Sequence, residues 1–273
     1  EIYDVADFVG DSLGLCLESR TIDCDIIIFS GVYFMAESAK ILNPEKRVFV
    51  PDPGAGCALS DMITARALRE KKAEYPDAAV VCYVNSTAEV KAESDIACTS
   101  SNAVEVVRSL PHRQILFVPD KNLANYVARA VPEKEIIPWE GYCPIHHRIT
   151  ADHIKRACAE NPGMKVIAHP ECTEEVRDAA DYVTSTSNMI SVAKSDPSDL
   201  FLVVTECGMV NRMKQQVPNK RFVTTCSVCF DMKKNTLEKI EQSLLFEQFE
   251  VRVTEEVRAR AYLTFERMFT VTG

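Results

Sequence analysis

The chain has 273 residues, 47% apolar and 26% charged, ordinary globular values that exclude a disordered, collagen-like or coiled-coil protein. Forty acidic against 31 basic side chains leave a formal charge of −9 without a long Lys/Arg run, so no nucleic-acid partner is expected. No apolar run approaches the roughly 18 to 20 residues that span a bilayer, so no membrane contact is expected and the protein reads as soluble.

In chain order, EIYDVADFVGDSLGLCLES reads as the later part of a half-unit, and the expectation is that a strand and its loop precede Glu1 in the natural chain. DIIIFSGVYFMAESAKILNPEKRVFVPDPGAGC then reads as a strand, a short loop, an amphipathic helix, a turn carrying Pro44 and Lys46, a second strand and Cys57. AAVVCYVNSTAEVKAESDIACTSSNAVEVVRSL gives a complete first half, and QILFVPDKNLANYVARAVPEKEIIPWEGYC repeats the second, with Pro132, Lys134 and Cys143. The third copy is GMKVIAHPECTEEVRDAADYVTSTSNMISVAKS followed by LFLVVTECGMVNRMKQQVPNKRFVTTCSVC, with Pro218, Lys220 and Cys229. EEVRARAYLTFERMF reads as a closing helix whose docking has no sequence signal.

The terminal cysteines recur at intervals of 86 residues, and Asp7, Asp95 and Asp181 are each followed five positions later by a hydroxyl residue, Ser12, Ser100 and Thr186. Strands alternating with short helices mean parallel sheets joined by right-handed crossovers. The expected fold is α/β, with three pseudo-threefold-related units of short parallel sheets flanked by helices. Its expected divisions are residues 1–72, N-terminally incomplete, 73–160, 161–247 and a C-terminal helical tail, 248–273.

Eleven cysteines without an export signal point to a reducing compartment, where spaced cysteines indicate metal or catalysis more often than disulfides. Cys16, Cys82, Cys98, Cys158 and Cys207 sit in apolar or small-residue surroundings and read as small buried hydrophobes. Cys57, Cys143 and Cys229 follow equivalent strand ends, where open parallel sheets bind ligands, so a threefold arrangement brings one thiolate per unit to a common axis. Three protein ligands leave a vacancy, a catalytic rather than a structural pattern. The metal stays open between zinc and an iron-sulfur cluster. Cys226 forms a CxxC with Cys229, either a local dithiol or half of a zinc site.

Tyr83 and Asn85 follow one strand, and His169 and Glu171 follow its equivalent 86 residues on, which suits proton transfer. His146 is either a residue backing the metal site or a solvated loop histidine. Ser12, Ser100 and Thr186 open helices, where they bind anions or serve as N-caps.

DVADFVGDSLGL, FSGVYFMAESAKIL, PDPGAGCALSDM, CYVNSTAEVKAESDIACTSSNAV, GYCPIHHR, AHPEC with STSNMI, TECGMVNRM and CSVCFDMKKNTLEKI together resemble the quinolinate synthase family over nearly the whole chain and in the right order. The resemblance implies a pseudo-threefold enzyme of NAD biosynthesis, located in the cytoplasm. Its reaction condenses iminoaspartate with dihydroxyacetone phosphate to quinolinate, with loss of phosphate and water. It implies a 4Fe-4S cluster on Cys57, Cys143 and Cys229, catalytic roles for Glu171, His169 and Tyr83, and substrate binding by Ser12, Tyr83, Asn85, Ser100, His169, Glu171, Ser185 and Thr186. Small anionic substrates are the implied partners, with a transient contact to the enzyme that makes iminoaspartate. The family's HYYQ-like segment is expected upstream of Glu1, and its usual GVHF appears as Gly31, Val32, Tyr33 and Phe34. The alternatives are a noncatalytic iron-sulfur or dithiol redox-sensing module and a zinc-dependent lyase.

Overall fold

Runs of β-branched and aliphatic residues too short for a helix core form parallel strands, each returning through a helix that covers the sheet. The structure is a computed structural model and describes residues 2–272. Its first sheet pairs β1 (Ile26–Ile28) with β2 (Arg47–Phe49), joined through the helix Tyr33–Leu42. The middle sheet holds β3 (Ala79–Tyr83), β4 (Ile96–Cys98), β5 (Gln114–Val118) and β6 (Glu135–Pro138) in the order β4-β3-β5-β6. In the third sheet, β7 (Lys165–Ala168), β8 (Tyr182–Val183), β9 (Leu200–Val204) and β10 (Arg221–Thr224) repeat that order as β8-β7-β9-β10. All these pairings are parallel, and β3 is buried along its whole length, as a strand covered on both faces must be. The first sheet corresponds to the last two strands of the other two.

The repeated Pro and Lys have a structural meaning. Each lysine reaches past the helix directly before it to the end of the earlier one, Ser12–Thr21, Ala103–Ser109 or Thr186–Ser195, where carbonyls lack intrahelical partners and a cation is favoured. Lys46 Nζ donates to Ser19 O at 3.1 Å and Ile22 O at 2.7 Å, Lys134 Nζ to Leu110 O at 2.5 Å and His112 O at 2.8 Å, and Lys220 Nζ to Asp196 O. The aligned aspartates are latches as well. Asp95 Oδ2 accepts the Val80 N–H at 2.7 Å and Asp181 Oδ2 the Val166 N–H at 2.8 Å, each tying the entry of one strand to the start of the preceding one. Asp7 is exposed, with no such strand to latch among the described residues.

The hydrophobic cores are not divided evenly among the sheets. Cys16, Ile41, Leu42 and Leu59 share one cluster with the inner residues of the middle sheet. The closing helix, Glu255–Thr272, docks there as well, burying Ala261, Phe265 and Met268 completely. It lies against β4 and the helices Ala88–Ala92 and Ala103–Ser109, a placement that required the three-dimensional structure to see. The third sheet has separate clusters on its two faces. It is clamped to the middle one by the buried Arg177, whose Nη1 donates to Asn122 O at 3.0 Å, Pro170 O at 3.2 Å and Cys172 O.

Cysteines divide differently from expectation. Cys16, Cys82 and Cys98 are buried, whereas Cys158, at the margin of a core cluster of the third sheet, and Cys207, at the cap of the helix Gly208–Gln216, are half-buried. Cys172, which carried no expectation, is also buried, and every cysteine is a free thiol. No helix of the described residues is long and apolar enough to cross a membrane.

Candidate active site

Loops at the carboxyl ends of the strands carry the chemistry-bearing residues, where parallel sheets present them together. Tyr83 ends β3, with Asn85 just after it, and Ser100 follows β4. His169 and Glu171 follow β7, and Ser185 and Thr186 follow β8. Ser12 opens the helix Ser12–Thr21.

Three matching backbone hydrogen bonds place the repeat cysteines equivalently. Tyr33 N–H donates to Ala55 O, Lys121 N–H to Gly141 O and Cys207 N–H to Ser227 O, all at 2.8 Å. Each acceptor lies two residues before Cys57, Cys143 or Cys229. Gly141 is required at its position, since a Cβ there would fall 2.4 Å from Pro119 O. The Cys57 thiol lies within electrostatic reach of both Cys143 and Cys229. Burial pushes Cys57 up to about 12, with the charges of Glu171 and Cys229 adding to it against backbone N–H groups of Ser60 and Leu59. Burial, then Glu171, then Cys57 hold Cys143 well above the ordinary thiol range. Burial also raises Cys229, to which Asp231 and Glu206 add. Cys226 stands apart, exposed in a left-handed backbone with φ of 58°.

The polar residues meet around Glu171. One ligand atom each from Cys143, His146 and Glu171 falls within 4.8 Å of the others. His146 Nδ1 lies 2.6 Å from Glu171 Oε2, an ion-pair distance in a geometry too bent for a good hydrogen bond, and His146 Nε2 lies 2.8 Å from Thr205 Oγ1. The His169 ring stacks on His146 with centroids 4.7 Å apart. His169 Nδ1 accepts the Glu171 N–H at 3.3 Å, which places the His169 proton on Nε2. Burial lowers His169 to about 4, so it is neutral near pH 7. Burial alone would raise Glu171, but the charge and contact of His146, then His169 and the Tyr83 hydroxyl, bring it down to about 2. The Tyr83 phenol is pushed well above its ordinary value by burial and then by Glu171.

His146 is therefore a buried member of the site, with 7% exposure, and not a solvated loop residue. Thr205 went unnoticed in the sequence, where VVTEC offers no signal for it. The hydroxyl residues also differ from expectation. The N-caps are Asp11, Asn102 and Ser185, while Ser12 and Thr186 are first helical residues and Ser100 lies in the turn before its helix. Their hydroxyls are thus not occupied as caps. Ser185 makes no side-chain cap hydrogen bond, and its Oγ, like Asn85 Oδ1, is buried without a partner. Such an atom costs about 1 to 3 kcal/mol, which a bound ligand would offset.

Comparison with known proteins agrees with this geometry. The family model for quinolinate synthetase A protein matches residues 1–270. The chain is 49% identical to the quinolinate synthase of Alkaliphilus metalliredigens over 99% of its length and 90% of that protein. It is 48% identical to quinolinate synthase of Clostridium kluyveri, over 99% of this chain and 90% of that one. Quinolinate synthase 2 of Methanosarcina acetivorans is 48% identical over the whole chain and 88% of the relative. On this full-length match, the chain belongs to the quinolinate synthetase A family.

Proposed function

We propose that the protein is a quinolinate synthase of NAD biosynthesis that condenses iminoaspartate with dihydroxyacetone phosphate, releasing phosphate and water, with a 4Fe-4S cluster held by Cys57, Cys143 and Cys229. The observation that carries this reading is the delivery of one half-buried thiol from each unit to an equivalent loop position, with those of Cys57 and Cys143 in electrostatic reach of Glu171. Burying thiolates is costly without a cation, and an all-sulfur donor set suits iron-sulfur ligation. Three ligands would leave one iron open as a Lewis acid for a substrate oxygen.

The remaining chemistry belongs to the side chains. Glu171, ionised at neutral pH, sits against His146 Nδ1, so the two side chains act together rather than the carboxylate alone in giving and taking protons. The Tyr83 phenol stays protonated against Glu171 and donates a hydrogen bond. His169 presents Nε2–H as a neutral donor. Ser185 supplies an unpartnered hydroxyl that can donate to a substrate carboxylate or phosphate, and Asn85 an unpartnered Oδ1 that accepts from a substrate N–H or O–H. Ser12, Ser100 and Thr186 add hydroxyls, with helix N-termini favouring negative charge behind Ser12 and Thr186.

A second reading, a zinc-dependent lyase, draws on the Cys143, His146 and Glu171 group, whose mixed donors resemble a catalytic zinc set. Against it, both ring nitrogens of His146 already face partners, Glu171 and Thr205. The divisions near 72/73, 160/161 and 247/248 and a cytoplasmic location with transient contact to the iminoaspartate-producing enzyme belong to the same proposal. The reading is tested by supplying the anaerobically purified protein with iminoaspartate and dihydroxyacetone phosphate and measuring quinolinate. Ser185→Ala and Asn85→Ala should raise KM about tenfold each; no quinolinate from wild-type protein carrying its full cluster would overturn it.

A further inference from the structure

We propose that Asp120 and Glu206 are positioning residues that hold the peptide N–H groups of Cys143 and Cys229, clamping two of the three thiolates and leaving Cys57 without an equivalent clamp. The proposal rests on the cluster reading above. Asp120, fully buried, accepts the Cys143 N–H on Oδ2 at 3.0 Å and the Leu123 N–H on Oδ1 at 2.8 Å. Glu206 performs the same two tasks with one more methylene, accepting the Cys229 N–H on Oε1 at 3.4 Å and the Gly208 N–H on Oε2 at 2.7 Å. Single parallel bridges, Asp120 with Gly141 and Glu206 with Ser227, align the two positions. The acids are separated by the same 86 residues as the cysteines they hold.

In the first copy, the residue preceding Tyr33, whose N–H binds Ala55 O, is Val32, a buried apolar side chain with no acceptor. The symmetry of the fold is therefore broken at this point. A carboxylate binds a peptide N–H more tightly than a neutral acceptor does. It also keeps that N–H from turning to the sulfur. Hydrogen bonds to the sulfurs set cluster potentials, so two acids that hold these N–H groups away from the sulfurs should hold the cluster firmly and keep its potential low.

The test compares the anaerobically purified holoprotein with Asp120→Asn and Glu206→Gln. Cluster loss to excess EDTA is followed by visible absorbance, and the midpoint potential by electron paramagnetic resonance. Each variant should lose iron about tenfold faster than wild type. Its midpoint potential should rise, a shift that a purely structural role in capping the following helix would not produce. Wild-type loss rates and potentials in both variants, with iron absent from Cys143→Ala and Cys229→Ala, would overturn this proposal alone. Iron retained in Cys143→Ala and Cys229→Ala would overturn the ligand assignment and the clamp with it. Should Asp120→Asn fail to fold, Glu206→Gln, with its partly exposed side chain, decides the matter by the same two readings.

Discussion

His146 and Glu171 form a buried couple, with Nδ1 and Oε2 2.6 Å apart, in a site whose other acid-base groups are a neutral His169 and a protonated Tyr83. Neither partner is free to act alone, since Thr205 occupies the far nitrogen of His146 at 2.8 Å. Glu171→Gln removes the carboxylate charge and leaves His146 Nδ1 facing a neutral amide. It should lower kcat by about 100-fold or more while leaving the melting transition in place. Near-wild-type turnover in this variant would show that the couple moves no proton in the rate-limiting step.

Thr205 acts through His146, and its contribution should be separable. Thr205→Val keeps the shape and removes the hydroxyl, and kcat should fall about tenfold, with Thr205→Ser restoring most of it. An equal loss in both variants would attribute the effect to packing rather than to the hydrogen bond.

Arg177 and Arg129 contrast a buried and an exposed cation on the same face. Arg177 holds three carbonyl groups across the middle and third sheets, whereas Arg129 pairs with Asp178 at 2.6 Å and Glu174 at 3.3 Å while more than half exposed. Arg177→Met should cost about 3 kcal/mol in denaturant unfolding, because buried carbonyls lose their donor. Arg129→Ala should cost less than about 1 kcal/mol. Similar costs would mean that the two sheets are joined by general packing and not by Arg177.

Much of this architecture is legible in the sequence because it is repeated. Equal spacing of Cys57, Cys143 and Cys229, of Asp95 and Asp181, and of Lys46, Lys134 and Lys220 relative to their prolines reflects bonds made again in each copy. The site was less legible where a residue acts without a repeat partner. His146 and Thr205 meet only because the loop after β6 faces the end of β9, a contact across two sheets that no local pattern encodes. Asp120 and Glu206 did carry the 86-residue signal, but as Asp in one copy and Glu in the other they matched in chemistry and not in letter. The hydroxyls Ser12 and Thr186 open their helices while Ser100 lies in the turn before its own, and the caps fall to Asp11, Asn102 and Ser185, a shift of one or two residues that composition alone does not resolve.

A pH dependence of stability follows from the buried Glu37, whose Oε2 accepts the Ala88 N–H at 3.1 Å between helices of the first and middle units, with the buried Lys91 in electrostatic reach. Burial raises Glu37 to about 7 although Lys91 and the Ala88 N–H oppose it, and burial lowers Lys91. A carboxyl that holds its proton more tightly when folded contributes stability below its unfolded pKa, near 4.5, and loses it as pH rises through about 7. Wild type should therefore lose about 3 kcal/mol relative to Glu37→Gln between these limits. A parallel dependence in the two proteins, measured by urea unfolding at several pH values, would contradict the assignment.

The central claim is tested most directly by iron, zinc and acid-labile sulfide per chain after anaerobic purification, in wild type and in the single variants Cys57→Ala, Cys143→Ala and Cys229→Ala. The account predicts about four irons and four sulfides in wild type, a clear loss of both in each variant, and full retention in Cys82→Ala. One zinc without sulfide in wild type, or iron retained when any of the three repeat cysteines is removed, would contradict it.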